Sequence, residues 1–381
     1  MLLYWSRTKS LEKIIAFKRK KIDIYHHNFR LCVNTCAKTV CQGQTFLDHQ
    51  GVLDWITNWQ CYDQCTYDCM WRTVALFHKH NRKTPQFHGK WPFIRMLGMQ
   101  EPAAAIFSVF NLFAHIQLLR KFLKRINPES PMRNVWTLYG LVSINAWICS
   151  TVFHSRDVTI TEKLDYFSAF SIVVYSLLAF FLRILGSWRS PKGIKWSNFV
   201  AIIACGLLFV RHIVLLNSAD RFDYGYNMAV NVGVGLVNSF CWLFWCYKHW
   251  GKRKYVWNAV ISVIMLDLSV LLELLDFVPL FWTLDAHALW HLSTVPIHYF
   301  WYQFVTDDCE YLLKNEHADY HKTVWKKSVI SIKRCCLPVF EIGNRCQVKN
   351  DRFLTGSILI RKGLSHDPLW KNKSVWRRTI Y

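Results

Sequence analysis

Seven long apolar blocks follow one another through the middle of the chain. They lie at roughly 102–119, 134–153, 165–186, 196–216, 228–247, 255–273 and 285–305. Each has about 18–22 residues, which as an α-helix is enough to cross a hydrocarbon core of about 30 Å. This much apolar sequence cannot be buried in one small core, so a bilayer must act as its solvent. We therefore predict an all-α, polytopic membrane protein with a seven-transmembrane helix bundle.

The chain is strongly basic, with a formal net charge of +22 over 381 residues. In a soluble protein this charge would suggest nucleic acid as a partner. Here the Lys and Arg residues are concentrated in the segments between the apolar blocks and in the two tails. That distribution indicates membrane topology and contact with anionic lipid, and we predict no nucleic-acid partner.

The orientation of the helices follows from the charges of the connecting loops. The first, third and fifth loops together carry thirteen Lys and Arg residues, whereas the second, fourth and sixth carry three. Because Lys and Arg are retained in the cytosol, the odd loops are predicted to be cytosolic. The N-terminal part of the chain is then lumenal and the C-terminus is cytosolic.

Four regions are predicted. Residues 1–31 are basic and lack the apolar core and cleavage site of a signal peptide, so their status in the mature protein is left open. Residues 32–101 form a Cys-rich lumenal module, and residues 102–305 form the helix bundle. Residues 306–381 are predicted to be a basic cytosolic tail lying on anionic lipid.

Six of the fourteen cysteines fall in the lumenal module, in two groups of three. They are Cys32, Cys36, Cys41, Cys61, Cys65 and Cys69. An even number in a short polar segment is typical of a disulfide framework in an oxidising compartment. A thiolate metal site is the alternative, but the usual C-x2-C spacing is missing. Six cysteines permit fifteen pairings, and the sequence does not choose among them.

Five polar residues are predicted to meet at the lumenal end of the bundle. They are Ser150, His154, Asp165, His287 and His291. On a helix, His287 and His291 project from one face about 6 Å apart, which suits two ligands of one metal ion. The second predicted helix ends in the lumen, and the third and seventh begin there. All five residues therefore lie within about two turns of the same membrane boundary.

These residues predict a catalytic zinc site. Three neutral histidines (His154, His287 and His291) would leave the fourth position of tetrahedral Zn²⁺ open for water. Asp165 is the predicted acid/base, and Ser150 would stabilise an oxyanion or hold the water. Four carboxylates are candidates to accept hydrogen bonds from the imidazoles, namely Glu273, Asp285, Asp276 and Asp267. The alternative for a histidine at a helix end is a solvated interfacial side chain.

Several strings in the sequence resemble those of a known family. They include Pro-Gln-Phe-His-Gly-Lys-Trp-Pro-Phe at 85–93 and Leu-Asp-Ala-His-Ala-Leu-Trp-His at 284–291. Others lie at 61–71, 100–102, 145–147, 151–154, 161–167, 221–227 and 272–277. Together they resemble the Per-type GPI-remodelling family, within the CREST superfamily of membrane hydrolases.

The resemblance implies a Golgi enzyme, with the endoplasmic reticulum as a second location. It would remove the sn-2 acyl chain from GPI anchors already attached to protein, so that GPI-anchored proteins and membrane phospholipid are its substrates. It also implies zinc ligation by His154, His287 and His291, acid/base catalysis by Asp165, and a serine at position 150. Two alternatives stay open: a ceramidase-like lipid amidase, and a non-enzymatic seven-helix receptor or cargo-binding protein with structural zinc.

Overall fold

A computed structural model describes residues 27–41, 51–186, 196–218, 222–275 and 277–335, with side chains described up to residue 315. Over these ranges the regular structure is α-helical, as predicted. The helices are α1 (residues 27–40), α2 (Val52–Ile56), α3 (Cys61–Lys79), α4 (Pro102–Arg125), α5 (Arg133–Ser155), α6 (Thr159–Leu185), α7 (Trp196–Ser218), α8 (Tyr224–His249), α9 (Val256–Leu274) and α10 (Ala286–Cys335). Two compact units are present, Met1–Lys322 and Thr323–Tyr381, and the described residues of the second are helical.

Six of these helices, α4 to α9, are long and apolar enough to cross a membrane. They coincide with the first six predicted spans, so the chain is a multi-pass membrane protein. The seventh predicted span, 285–305, falls in α10 and is not among the six. Three histidines (His287, His291 and His298) and Pro296 lie in the first turns of α10, and they lower its mean hydropathy.

The start of α6 differs from the sequence prediction. This helix begins at Thr159, six residues before the predicted start at 165. The backbone N–H of Val158 donates to the Thr161 hydroxyl over 3.0 Å, which satisfies one of the free donors of the first turn. Asp165 therefore lies in the second turn of a helix that protrudes beyond the apolar block.

The bundle is packed around a cluster of large aromatic side chains. α5 packs against α4 and α6, and α8 packs against α6 and α9. Trp136, Trp242 and Phe304 are almost fully buried at the centre, with the Trp242 and Phe304 rings 5.4 Å apart. Such close packing fixes α5, α8 and α10 relative to one another, and with them the functional residues of α5 and α10.

In the Cys-rich module, three disulfide bonds join α1 to α3. They are Cys32–Cys69, Cys36–Cys65 and Cys41–Cys61. The cysteines of α3 recur every four residues and so share one face of the helix. Pairing them in reverse order with those of residues 32–41 sets the two helices antiparallel. The prediction of disulfides is confirmed. The pairing, which the sequence left open, joins the first cysteine to the last, the second to the fifth and the third to the fourth.

The module contacts the bundle at the end where α5 stops and α10 starts. Trp71 of α3 packs edge-on against Trp282, which precedes α10, with 5.1 Å between the ring centroids. Arg156, directly after α5, donates to the Asp63 carboxylate over 2.6 Å. The α5–α6 and α9–α10 connections are thus both held by the module. We call this the site end of the bundle.

Candidate metal centre

His154 lies in the last turn of α5 and is buried, with 1% of its surface exposed. The residues just before α4 hold this helix end. The backbone N–H groups of Gln100 and Glu101 donate to the carbonyls of Ser155 and His154, over 3.2 and 2.9 Å. These carbonyls have no partner within their own helix, so the contact both satisfies them and fixes the position of His154.

His287 and His291 lie in the first two turns of α10. The Asp285 carboxylate accepts from the backbone N–H of Ala288 over 2.8 Å, which is an N-terminal cap of this helix. The i, i+4 spacing then directs both imidazoles to one face, as predicted. His291 is buried and His287 partly buried.

The three imidazoles converge on one point. The Nε2 atoms are separated by 3.4 Å (His154 to His287), 3.2 Å (His154 to His291) and 3.0 Å (His287 to His291). Three Nε2 atoms around a tetrahedral Zn²⁺ at Zn–N distances of about 2.0–2.1 Å would be about 3.3 Å apart. The donor set and its spacing therefore fit zinc. The structure brings together the three residues that the sequence singled out as ligands.

Two carboxylates orient two of these rings through the opposite ring nitrogen. Glu273, at the end of α9, lies 2.7 Å from Nδ1 of His287, and Glu101 lies 2.6 Å from Nδ1 of His154. When Nδ1 carries the hydrogen and donates it to a carboxylate, Nε2 presents its lone pair to the metal. Among the described residues, the buried Nδ1 of His291 has no hydrogen-bond partner.

Of the four carboxylates proposed from sequence for this role, the structure describes three, and one of these occupies it. Glu273 contacts a ligand histidine, whereas Asp285 caps α10 and Asp267 accepts from the Ser239 hydroxyl over 2.7 Å. Asp276 lies outside the described residues. Glu101 was missed. Its signal was the Gln-Glu-Pro string before α4, but an acidic residue at a helix start is common for reasons unrelated to a metal.

Ser150 and Asp165 lie beside the histidines. Ser150 is one turn deeper in α5 than His154 and is buried, and its hydroxyl is 3.1 Å from that of Ser108 on α4. The Asp165 carboxyl group, on α6, lies close enough to the side chains of Ser150, His154 and His287 to interact with them. All five predicted residues thus occupy one site.

A charged pair lies at the mouth of the site. Nζ of Lys90 is 3.7 Å from Oε1 of Glu101 and also contacts the Asp157 carboxylate. Burial by itself would raise the pKa of Glu101, but Lys90 and then His154 lower it to about 2. Burial likewise opposes the charge of Lys90, yet Glu101 and Asp157 raise the pKa of its ammonium group above the usual value. Both groups are therefore charged at neutral pH.

Asn111 of α4 ties α10 to the bundle just below the metal centre. Its side-chain amide donates to the carbonyl of His291 over 2.7 Å. Its Oδ1 accepts from Thr294 over 3.1 Å and lies 2.7 Å from Nε2 of His298. Asn111 is fully buried, so water cannot reach its amide group. Protein groups therefore supply its hydrogen bonds. This role of Asn111 was not predicted from the sequence.

Comparison with known proteins identifies the family. A family model described as the Per1-like family matches residues 52–309, from α2 to the described middle of α10. The chain belongs to the Per1-like family. The matched range contains the three converging histidines, Glu101 and Asp165. No solved structure matches the chain.

Relatives of this Per1-like chain carry names that describe GPI metabolism. A Xenopus tropicalis protein named GPI-specific phospholipase A2-like PGAP3 is 42% identical over 297 residues, covering 77% of this chain and 92% of the relative. The Homo sapiens protein of the same name is 43% identical over 289 residues, covering 75% and 88%. A Drosophila melanogaster protein named post-GPI attachment to proteins factor 3 is 39% identical, covering 73% and 86%.

Proposed function

We propose that this Per1-like protein is a zinc-dependent phospholipase A2 that removes the sn-2 acyl chain from protein-attached GPI anchors. The single observation that carries the proposal is the convergence of three Nε2 atoms within 3.4 Å of one another, beside a buried serine and an aspartate. The names of the relatives support the substrate, and the resemblance of the sequence supports the sn-2 position and a Golgi membrane.

The depth of the site suits an ester of a membrane lipid. His154 is one residue from the end of α5, and His291 is five residues into α10. At 1.5 Å per residue the centre lies within about 7 Å of the helix ends. This is the depth of the interfacial region, where the glycerol esters of a phospholipid are found. A headgroup attached to a protein would then project away from the bilayer.

The membrane topology follows from the same arrangement. The first part of α10 would form the seventh span, because its histidines face partners inside the bundle rather than lipid. The charge bias of the loops puts the site end in the lumen and the opposite end in the cytosol. Disulfide bonds in the module at the site end agree with this orientation, since they persist in oxidising compartments.

The residues of the site divide the chemistry between them. His154, His287 and His291 would hold the metal, which when bound polarises the ester carbonyl and activates a water molecule. Asp165 would accept the proton of the attacking water on a carboxylate oxygen and pass it to the departing glycerol oxygen. Ser150 would donate its hydroxyl hydrogen to the negative charge that develops on the carbonyl oxygen. Glu101 and Glu273 would keep two imidazoles in the tautomer that ligation needs.

The test is complementation of cells that lack the protein. His291→Ala and Asp165→Ala would be compared with wild type, and the sn-2 chains of released GPI anchors read by mass spectrometry. We expect neither variant to restore remodelling, with both present at wild-type level in the membrane. Restoration by either variant would refute the metallohydrolase and favour a receptor with structural zinc. Hydrolysis of ceramide but not of GPI by purified protein would instead assign a lipid amidase.

A further inference from the structure

Lys90 is presented to the metal centre by a tight hairpin of the Cys-rich module. The backbone N–H of Phe87 donates to the carbonyl of Lys90 over 2.7 Å, and the reverse bond is 3.0 Å. The two residues between them, His88 and Gly89, have φ angles of 52° and 87°. Two successive residues with positive φ are typical of the tightest hairpin turns, which leave the flanking residues little freedom. The backbone therefore fixes the direction in which Lys90 leaves the module.

The Lys90 side chain is held by groups from the end of α5 and the start of α4. Its Nζ contacts the Asp157 carboxylate and lies 4.4 Å from the centre of the Phe153 ring. Phe153 directly precedes His154, and Asp157 follows α5 by two residues. The third partner is Glu101, whose Oε1 is 3.7 Å from Nζ. Lys90 thus bridges the two segments that frame the ligand His154.

The Glu101 carboxylate is shared between Lys90 and His154. One oxygen, Oε2, is 2.6 Å from Nδ1 of His154, while the other, Oε1, faces Lys90. With both oxygens occupied by different partners, the rotation of the carboxylate about its last bond is fixed. Without Lys90, Oε1 would face Asp157 across a partly buried space, and repulsion would turn the carboxylate away from the imidazole.

We propose that Lys90 is a positioning residue of the metal centre, which acts through Glu101 on the orientation of His154. The inference rests on the proposed function in that the three histidines bind zinc. It assigns the Cys-rich module a part in building the site, because the module supplies the cation that contacts Glu101. A ligand ring whose partner is displaced binds metal more weakly, typically by about 10–100-fold.

The test measures metal binding on the purified full-length protein in detergent. Lys90→Met removes the charge and keeps most of the stem, Lys90→Arg keeps the charge, and Lys79→Met is the matched control at an exposed position of α3. Affinity for Zn²⁺ would be measured by competition with a chelator, and the geometry by the visible spectrum of the Co²⁺-loaded protein. We expect Lys90→Met to bind Zn²⁺ about tenfold more weakly than wild type and to have an altered Co²⁺ spectrum. Lys90→Arg and Lys79→Met should resemble wild type in both measurements.

A double-variant cycle separates positioning from a general loss of stability. If Lys90 acts through Glu101, the pair Lys90→Met with Glu101→Gln binds Zn²⁺ no more weakly than Glu101→Gln alone. The inference would be overturned if the losses of Zn²⁺ affinity in the two single variants added in the double variant. It would also be overturned if Lys90→Met bound Zn²⁺ as wild type does while the metal-free protein had a lower melting temperature. The outcome is independent of acyl release. Zinc-binding wild type without GPI hydrolysis would refute the proposed function and leave the role of Lys90 standing.

Discussion

Oε2 of Glu273 lies 2.7 Å from Nδ1 of His287, and the two residues face each other across the connection between α9 and α10. The carboxylate comes from the last turn of α9 and the imidazole from the first turn of α10. The segment around this connection therefore carries both a proposed ligand, His287, and the carboxylate that would fix its tautomer, Glu273. This pair is what couples the end of α9, which contributes no histidine, to the metal centre.

Replacing Glu273 by glutamine should weaken the centre without unfolding the protein. The amide retains an acceptor oxygen for His287 but loses the negative charge, so Nε2 of the ring becomes a poorer donor to the metal. We expect Zn²⁺ affinity to fall by roughly 10–100-fold, measured by chelator competition. Glu129→Gln, at an exposed position, is the matched control and should bind as wild type does. Equal affinities of the two variants would contradict the role of Glu273.

The position of α10 against α4 should depend on Asn111. Asn111→Leu removes the amide donor 2.7 Å from the buried carbonyl of His291 and leaves Nε2 of His298 without its partner at 2.7 Å, whereas the Thr294 hydroxyl still donates to the His291 carbonyl over 2.8 Å. Each buried polar group that loses its partner costs about 1–3 kcal/mol. We expect a clearly lower melting temperature in detergent together with weaker Zn²⁺ binding. Asn315→Leu, on the exposed surface of α10, is the control and should change neither property. Equal melting temperatures of Asn111→Leu and Asn315→Leu would refute the prediction.

Six helical spans and the convergence of three histidines could be predicted because they depend on local, periodic signals. Apolar runs of helical length locate the spans, and the spacing of four puts His287 and His291 on one face. The topology then brings His154 to the same end. Disulfides could be predicted from the number of cysteines, but their pairing depends on two helices lying antiparallel, which no local pattern encodes.

Contacts between distant segments could not be predicted from the sequence. Lys90 is separated from Asp157 by 67 residues, and Asn111 from the carbonyl of His291 by 180. A lysine in a loop is ordinarily solvated, and an asparagine in an apolar helix has no preferred partner in the sequence alone. The start of α6 was placed too late for a different reason. Its first turn is polar, so that apolar patterning does not include it.

The Cys36–Cys65 disulfide should stabilise the module at the site end. It is the middle bond of the three that join α1 to α3. Loss of a native disulfide from a small module typically costs about 2–5 kcal/mol. Replacing both cysteines by serine should therefore make the module cleavable by protease at concentrations that leave wild type intact. Cys149→Ser, which removes a free cysteine of α5, should leave the digestion pattern unchanged. Equal resistance of the disulfide variant and wild type would show that the other two bonds suffice.

At the opposite end of the bundle, Arg183 of α6 and Asp308 of α10 form a buried ion pair. Asp308 has no exposed surface, and its Oδ1 accepts from Nη2 of Arg183 and from the Tyr255 hydroxyl, each over 2.8 Å. Arg253 approaches the same oxygen to 3.8 Å. One carboxylate thus ties together α6, α10 and the start of α9. Arg183 lies eighteen residues beyond Asp165 in α6, which separates the two residues by about 27 Å along the helix axis.

This separation predicts that stability and metal binding respond differently to changes in the pair. Asp308→Leu leaves the Arg183 guanidinium buried without its acceptor, which costs about 3–5 kcal/mol, whereas replacing both members of such a pair by apolar residues is often close to neutral. We therefore expect Asp308→Leu to lower the melting temperature more than the double variant Arg183→Met, Asp308→Leu does. Asp307→Leu, which disturbs a partly exposed pair with Arg125, should cost no more than about 1 kcal/mol. Zn²⁺ affinity should match wild type in all the folded variants, because the histidines and their carboxylates keep their contacts. A double variant less stable than Asp308→Leu would instead mean that Arg183 stabilises the bundle through its packing against Trp245, whose ring lies 5.3 Å from the guanidinium carbon.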